Sequence, residues 1–179
     1  MRTIKQSLKK VKDFLEEKIE ETDYKLPMQN ENMETDSTRM VHPVIVYGNL
    51  PHENFSMYGM EQRLFQAPYI LIGAEECTFD YDSETIPILI QVCCYTAETY
   101  QSGENDMMIP DNMGTLDVIG LLESIREWIS KDAKFPRDKP FTMGSYDTKE
   151  STYPLAFGYL KFNMTTNEGH VNRSKFNYD

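Results

Sequence analysis

Asp80-Tyr81-Asp82-Ser83-Glu84 sets oxygen-bearing side chains at alternate positions, as a calcium-binding loop begins. Such a loop then needs a glycine for its sharp turn and a bidentate glutamate to close it. This chain has Thr85 and Gln91 there, so the stretch reads as a solvated acidic turn. His52-Glu53 opens a zinc-protease pattern, but the second histidine would fall at Ser56. His42, His52 and His170 are scattered, and no local signature places a serine or cysteine beside one of them. The cysteines Cys77, Cys93 and Cys94 make no metal spacing. Cys93 and Cys94 are neighbours that point to opposite faces of a strand, so they are poor disulfide partners and read as small apolar side chains in a reducing compartment. Neither glycine fingerprint for phosphate occurs. The sequence therefore predicts no catalytic residue, no metal-ligand set and no cofactor. A small cytosolic enzyme, with a site built from residues distant in sequence, stays open as one class of function.

The charge balance narrows the partners. Acidic residues outnumber basic ones 29 to 18, a net charge of −11 over 179 residues. Holding phosphates requires lysine and arginine on a common face, so nucleic acid is not expected as a bound ligand. The N-terminus is charged throughout and has no apolar run long enough for a signal peptide or a membrane span, which places synthesis in the cytoplasm. Without a secretory route, the glycosylation-type triplets at Asn54, Asn163 and Asn172 are chance matches.

What the chain does specify is a scaffold. Residues 67–95 hold two runs rich in β-branched and aromatic side chains around the acidic turn, the pattern of a long antiparallel hairpin. Alternation puts Ile86, Ile88, Ile90, Val92 and Cys94 on the core face. The opposite face carries Pro87, Leu89, Gln91, Cys93 and Tyr95 and is apolar enough to need a cover of its own. Residues 3–21 repeat Ile4, Leu8, Val11, Leu15 and Ile19 at helical spacing, with Phe14 on the edge of the stripe. Residues 114–131 form the clearest helix. Val118, Leu122, Ile125 and Ile129 make its stripe, Leu121 and Trp128 widen it, Asp117 is expected in its first turn, and Asp111 or Asn112 is its N-cap. Strands are expected at 44–47, 70–79, 86–95 and 153–164, with a short one at 141–146. Gly158 marks a bulge or a place of close packing. The fold class is α+β, a mostly antiparallel sheet of about four strands with two main helices packed on it. One α+β unit spans 1–165, with its leading helix, a polar linker at 27–40 and a core at 41–165, and a polar tail follows at 166–179.

Two further segments invite contact. The stretch 49–60 gathers Phe55, Met57, Tyr58 and Met60, which serves either as an exposed sticky patch or as a lid over one end of the sheet. Residues 96–113 read as a long loop carrying Glu98, Tyr100, Glu104 and Asp106. These eight residues are the candidate assembly interface.

Read in order, the leading helix is followed by Val46-Tyr47-Gly48-Asn49-Leu50-Pro51, Asn54-Phe55-Ser56-Met57, and Arg63-Leu64-Phe65-Gln66-Ala67-Pro68-Tyr69-Ile70-Leu71-Ile72. The 86–95 strand, Leu121-Leu122-Glu123-Ser124-Ile125-Arg126 and Tyr153-Pro154-Leu155-Ala156-Phe157-Gly158 come next. This succession resembles the tail terminator, or tail-completion, proteins of phages and prophages of Gram-positive hosts. The match spans about 44–164 and rests on order and pattern, not on a chemical motif. The resemblance implies a virion structural protein that assembles as a six-fold ring. Such a ring caps the tail tube and joins it to the neck, with self, tail tube protein, neck or connector protein and, in a contractile tail, the sheath as partners. DNA would pass only as cargo. What carries over is scaffold: Pro68 to Ile72, Leu122, Ile125, Pro154 and Gly158. A head-closure or head–tail joining protein of the neck is the neighbouring alternative. Under the ring reading, Glu98, Glu104 and Asp106 either face the lumen and repel passing DNA or lie on a solvated outer face.

Overall fold

A computed structural model of the chain describes residues 4–28, 39–48, 67–75, 85–95, 100–102, 108–110, 113–133, 135, 141–145 and 155–165. The leading helix, α1, spans Ile4–Thr22 and buries Val11, Phe14, Leu15 and Ile19, while Ile4 and Leu8, the start of the expected stripe, are only partly buried against the core. Its outer side carries Lys12–Glu16 and Lys18–Glu21 ion pairs, exposed contacts that add little stability. The helix stops in a Schellman turn. Asp23 takes a left-handed φ of 50°, its N–H donates to the Glu20 carbonyl at 3.2 Å, and the Tyr24 N–H donates to the Ile19 carbonyl at 3.1 Å.

Beyond the turn, β1 (Leu26–Pro27) pairs antiparallel with β2 (Met40–Val41). The ends of the expected linker are thus tied into a small ladder, and the rest of it lies outside the described residues. The main sheet holds β3 (Val44–Tyr47), β4 (Tyr69–Ala74), β5 (Thr85–Tyr95), β8 (Thr142–Ser145) and β9 (Leu155–Thr165), in the order β3-β4-β5-β9-β8. Only β3 and β4 run parallel; the other pairings are antiparallel. The fold is α+β, with five strands in this sheet where about four were expected. β5 and β9 pair without interruption from Thr85↔Thr165 to Tyr95↔Leu155, so Gly158 marks no bulge.

The segment expected as a plain loop at 96–113 instead contains β6 (Tyr100–Ser102) and β7 (Met108–Pro110), a two-stranded antiparallel ladder. Short runs of three residues are too brief for alternation to reveal them. The second helix, α2 (Met113–Lys131), ends with Lys131 in its last turn, where a cation suits the dipole. Its start at Met113 leaves Asp117 beyond the first turn, contrary to expectation, and Asp111 and Asn112 lie outside the described residues.

Both helices pack on one face of the sheet. Ile70, Ile72, Ile86, Ile88, Ile90, Val92, Cys94, Leu160, Phe162 and Met164 meet Val11, Leu15, Val118, Leu121, Leu122, Ile125 and Ile129 in one core. α1 lies over β3 and β4, and α2 over β9, β5 and β8. Gly158 lies under α2, and a Cβ built there would stand 2.4 Å from Val118 Cγ1 and 2.9 Å from Leu122 Cδ1. Close packing, the second of the two expected roles, is therefore its structural reason. Trp128 is only partly buried at the rim of this core, not inside it as the widened stripe suggested.

Candidate functional site

The chemistry-bearing side chains that the fold gathers lie around Tyr24. The turn after α1 swings this ring onto α2, where Gly120, Ser124 and Trp128 follow one another at four-residue spacing. Tyr24 stacks edge-on against Trp128 at 5.9 Å and shares a hydrogen bond with the Ser124 hydroxyl, which itself donates to the Gly120 carbonyl at 2.9 Å. Burial pushes the Tyr24 phenol up, with the Ser124 hydrogen bond opposing. Asp117 is half-buried, and burial raises its carboxyl as well.

Cys94, at the end of β5, completes the cluster. Burial, then the neighbouring Cys93 and the Asp117 charge, push its thiol far up. A cysteine nucleophile needs the opposite, a thiolate favoured by positive charge or a helix N-terminus. The arrangement suits Cys94 as a small core side chain and Tyr24 as the anchor that fastens the end of α1 to α2.

A second polar group surrounds the same turn. Asp23 accepts from Lys25 at 2.8 Å, and this bond holds its carboxyl below the usual range. His42 sets Nδ1 2.9 Å from the Tyr24 carbonyl and Nε2 3.4 Å from Asp23. These contacts are exposed; they pin the approach to β3 against α1. Among the described residues no cluster of three or more His, Cys, Asp or Glu side chains is placed to hold a metal, and no helix is long and apolar enough to cross a membrane.

The other face of the sheet carries a second, smaller apolar cluster. Ala67, Tyr69, Leu71 and Cys93 are buried there, with Val46, Tyr95, Leu155 and Phe157 packed around them. Leu89 and Gln91 are buried on the same face. Its polar margin is the Lys161–Glu75 ion pair, with the Lys161 ammonium 5.4 Å above the Tyr159 ring. Neither helix lies on this face, and it ends at two edge strands, β3 and β8.

Of the candidate interface residues, Phe55, Met57, Tyr58, Met60, Glu98, Glu104 and Asp106 lie outside the described residues. Tyr100 opens β6, opposite Pro110 of β7. Sequence reasoning passed over Leu116 and Ile119, which stand exposed on the outer side of α2. Their signal was available: two apolar residues three apart that fall outside the core stripe of their own helix. Comparison of the chain with protein-family models, with characterised proteins and with solved structures gives no match.

Proposed function

We propose that this chain is a structural subunit of a phage virion, a tail-terminator-type protein that forms a ring between the end of the tail tube and the neck. The observation that carries this reading is the set of large apolar side chains left exposed at the two sheet edges, Val44, Tyr47 and Met143, and on α2, Leu116 and Ile119. Copies of a subunit can cover such side chains for one another, and closed symmetry buries apolar surface without growing filaments. Tyr47 and Met143 are of the types enriched where proteins touch. The net charge of −11 suits a ring through which DNA passes without adhering. Partners are therefore further copies of the chain, the tail tube and the neck, and its place is the tail–neck junction of the virion.

The test is to mix the purified protein with assembled tail tubes and image their ends. Ring-shaped caps, together with tubes that stop elongating, are expected. Bare ends, and tube lengths unchanged by the protein, would remove the proposal.

A further inference from the structure

We infer that neighbouring copies join edge to edge, β3 of one against β8 of the next, so that the five-stranded sheets run on around the ring. The inference rests on the ring reading and names its contact.

β3 and β8 close the two sides of the sheet, and among the described residues neither has a strand on its outer side. In β3 the Val44 N–H donates to Pro68 and the Gly48 N–H to Ile72, both on the β4 side. Alternation then turns the backbone N–H and C=O groups of Ile45 and Tyr47 outward. Side chains at both edges are open to solvent: Val44 and Tyr47 are each 53% exposed and Met143 is 37% exposed.

A second copy fits these edges better than an unrelated strand does. The two edges are equal in length, four residues each. β3 runs with β4, and direction alternates through β5, β9 and β8, so β3 and β8 run opposite ways. A copy set alongside in the same orientation therefore presents its β8 antiparallel to β3, with its helices on the same side of the extended sheet. Tyr47, opposite core residue Ile72, and Met143, opposite core residue Leu160, both lie on the helix-bearing face and would come together across the joint.

Charge points the same way. Folded proteins protect open edges with lysines and other charges. In a chain of which 26% is charged, Val44-Ile45-Val46-Tyr47 and Thr142-Met143-Gly144-Ser145 carry none. Because the contact joins unlike edges, it repeats head to tail and can close a ring. Four-residue edges make a weak joint, which suits a subunit that assembles when it meets a template.

The experiment uses the full chain with Cys77→Ser, since Cys93 and Cys94 are buried. Tyr47→Cys and Met143→Cys proteins are treated singly and mixed with a short bismaleimide, which tolerates small differences of register, both free and on tube ends. A cross-linked dimer is expected in the mixture and not in either single variant, and the double variant should give a ladder that ends in a closed ring. Adding Val44→Lys should cut the yield about tenfold with the thermal midpoint unchanged. Dimers within a single-variant sample, which signify a two-fold contact, overturn the inference. So does a yield indifferent to Val44→Lys, or no cross-link under any condition. A ladder with tubes left bare keeps the edge contact and removes the tail-end reading. Capped tubes without the cross-link do the reverse.

Discussion

Adding one methyl group at Gly158 tests whether α2 packs on the sheet as closely as described. The new Cβ would stand 2.4 Å from Val118 Cγ1, 2.9 Å from Leu122 Cδ1 and 3.2 Å from the Gly144 carbonyl oxygen. The first two atoms belong to buried side chains of α2, and the third is backbone of β8, so no neighbour can swing freely away. Forcing a group into a packed core costs about 1–3 kcal/mol. The lower entropy of the unfolded chain returns about 0.4–1 kcal/mol when glycine becomes alanine. Gly158→Ala should therefore destabilise by about 1–2 kcal/mol, a loss of roughly 2–8 °C in thermal midpoint for a chain of this length. Urea unfolding of Gly158→Ala, Val118→Ala and the double variant checks the cause. Removing the Val118 methyls makes room, so the double variant should lose about 1 kcal/mol less than the two single losses added together. Gly120→Ala is the internal control. Its Cβ would meet only the Tyr24 hydroxyl, at an ordinary 3.7 Å, so relief of helical glycine should stabilise by about 0.5–1 kcal/mol. Gly158→Ala at wild-type stability, or strict additivity with Val118→Ala, would refute the packing argument.

Three further outcomes follow from particular side chains. Ser7 is buried on the core side of α1, and its hydroxyl has no hydrogen-bond partner among the described residues, so Ser7→Ala should stabilise by about 1 kcal/mol in urea unfolding. Asp117 has its carboxyl raised by burial, so the folded state holds this proton more tightly than the unfolded chain does. Stability from this group is complete below its ordinary value of 3.8 and is lost as pH rises through the folded value. Asp117→Asn should accordingly flatten the fall in stability over that window and raise the thermal midpoint at pH 7. Ile125 is fully buried on the sheet side of α2, and Ile125→Asp, an unpaired charge in the core, should cost about 4 kcal/mol or more and abolish the cooperative melt.

The parts of the fold that could be read from the residues are those in which one periodicity ran long enough. Ile86 to Cys94 alternate over a strand of eleven residues, and in β9 the same period separates Leu160, Phe162 and Met164, in the core with the helices, from Leu155 and Phe157 on the other face. The parallel pairing of β3 with β4 was not legible, because strand direction depends on the path of the chain between them and not on either strand's own pattern. The β6–β7 ladder escaped for lack of length. Tyr24 was passed over for a different reason: it falls after the last helical turn, and its role depends on a left-handed Asp23, a conformation more usual for glycine or asparagine. The exposed Leu116 and Ile119 were hidden by the stronger stripe beside them. Of the proposed interface, the aromatic and methionine-rich stretch was chosen by composition, and composition does not place a residue in space.

The central claim is that this subunit closes a ring on one end of a tail tube. The most direct measurement is single-molecule imaging of the protein, labelled at one site, on immobilised tubes. Label confined to one end of each tube, bleaching in about six steps as a six-fold ring requires, is the predicted result. Label spread along the tube wall, absent from the ends or bleaching in a single step would contradict it.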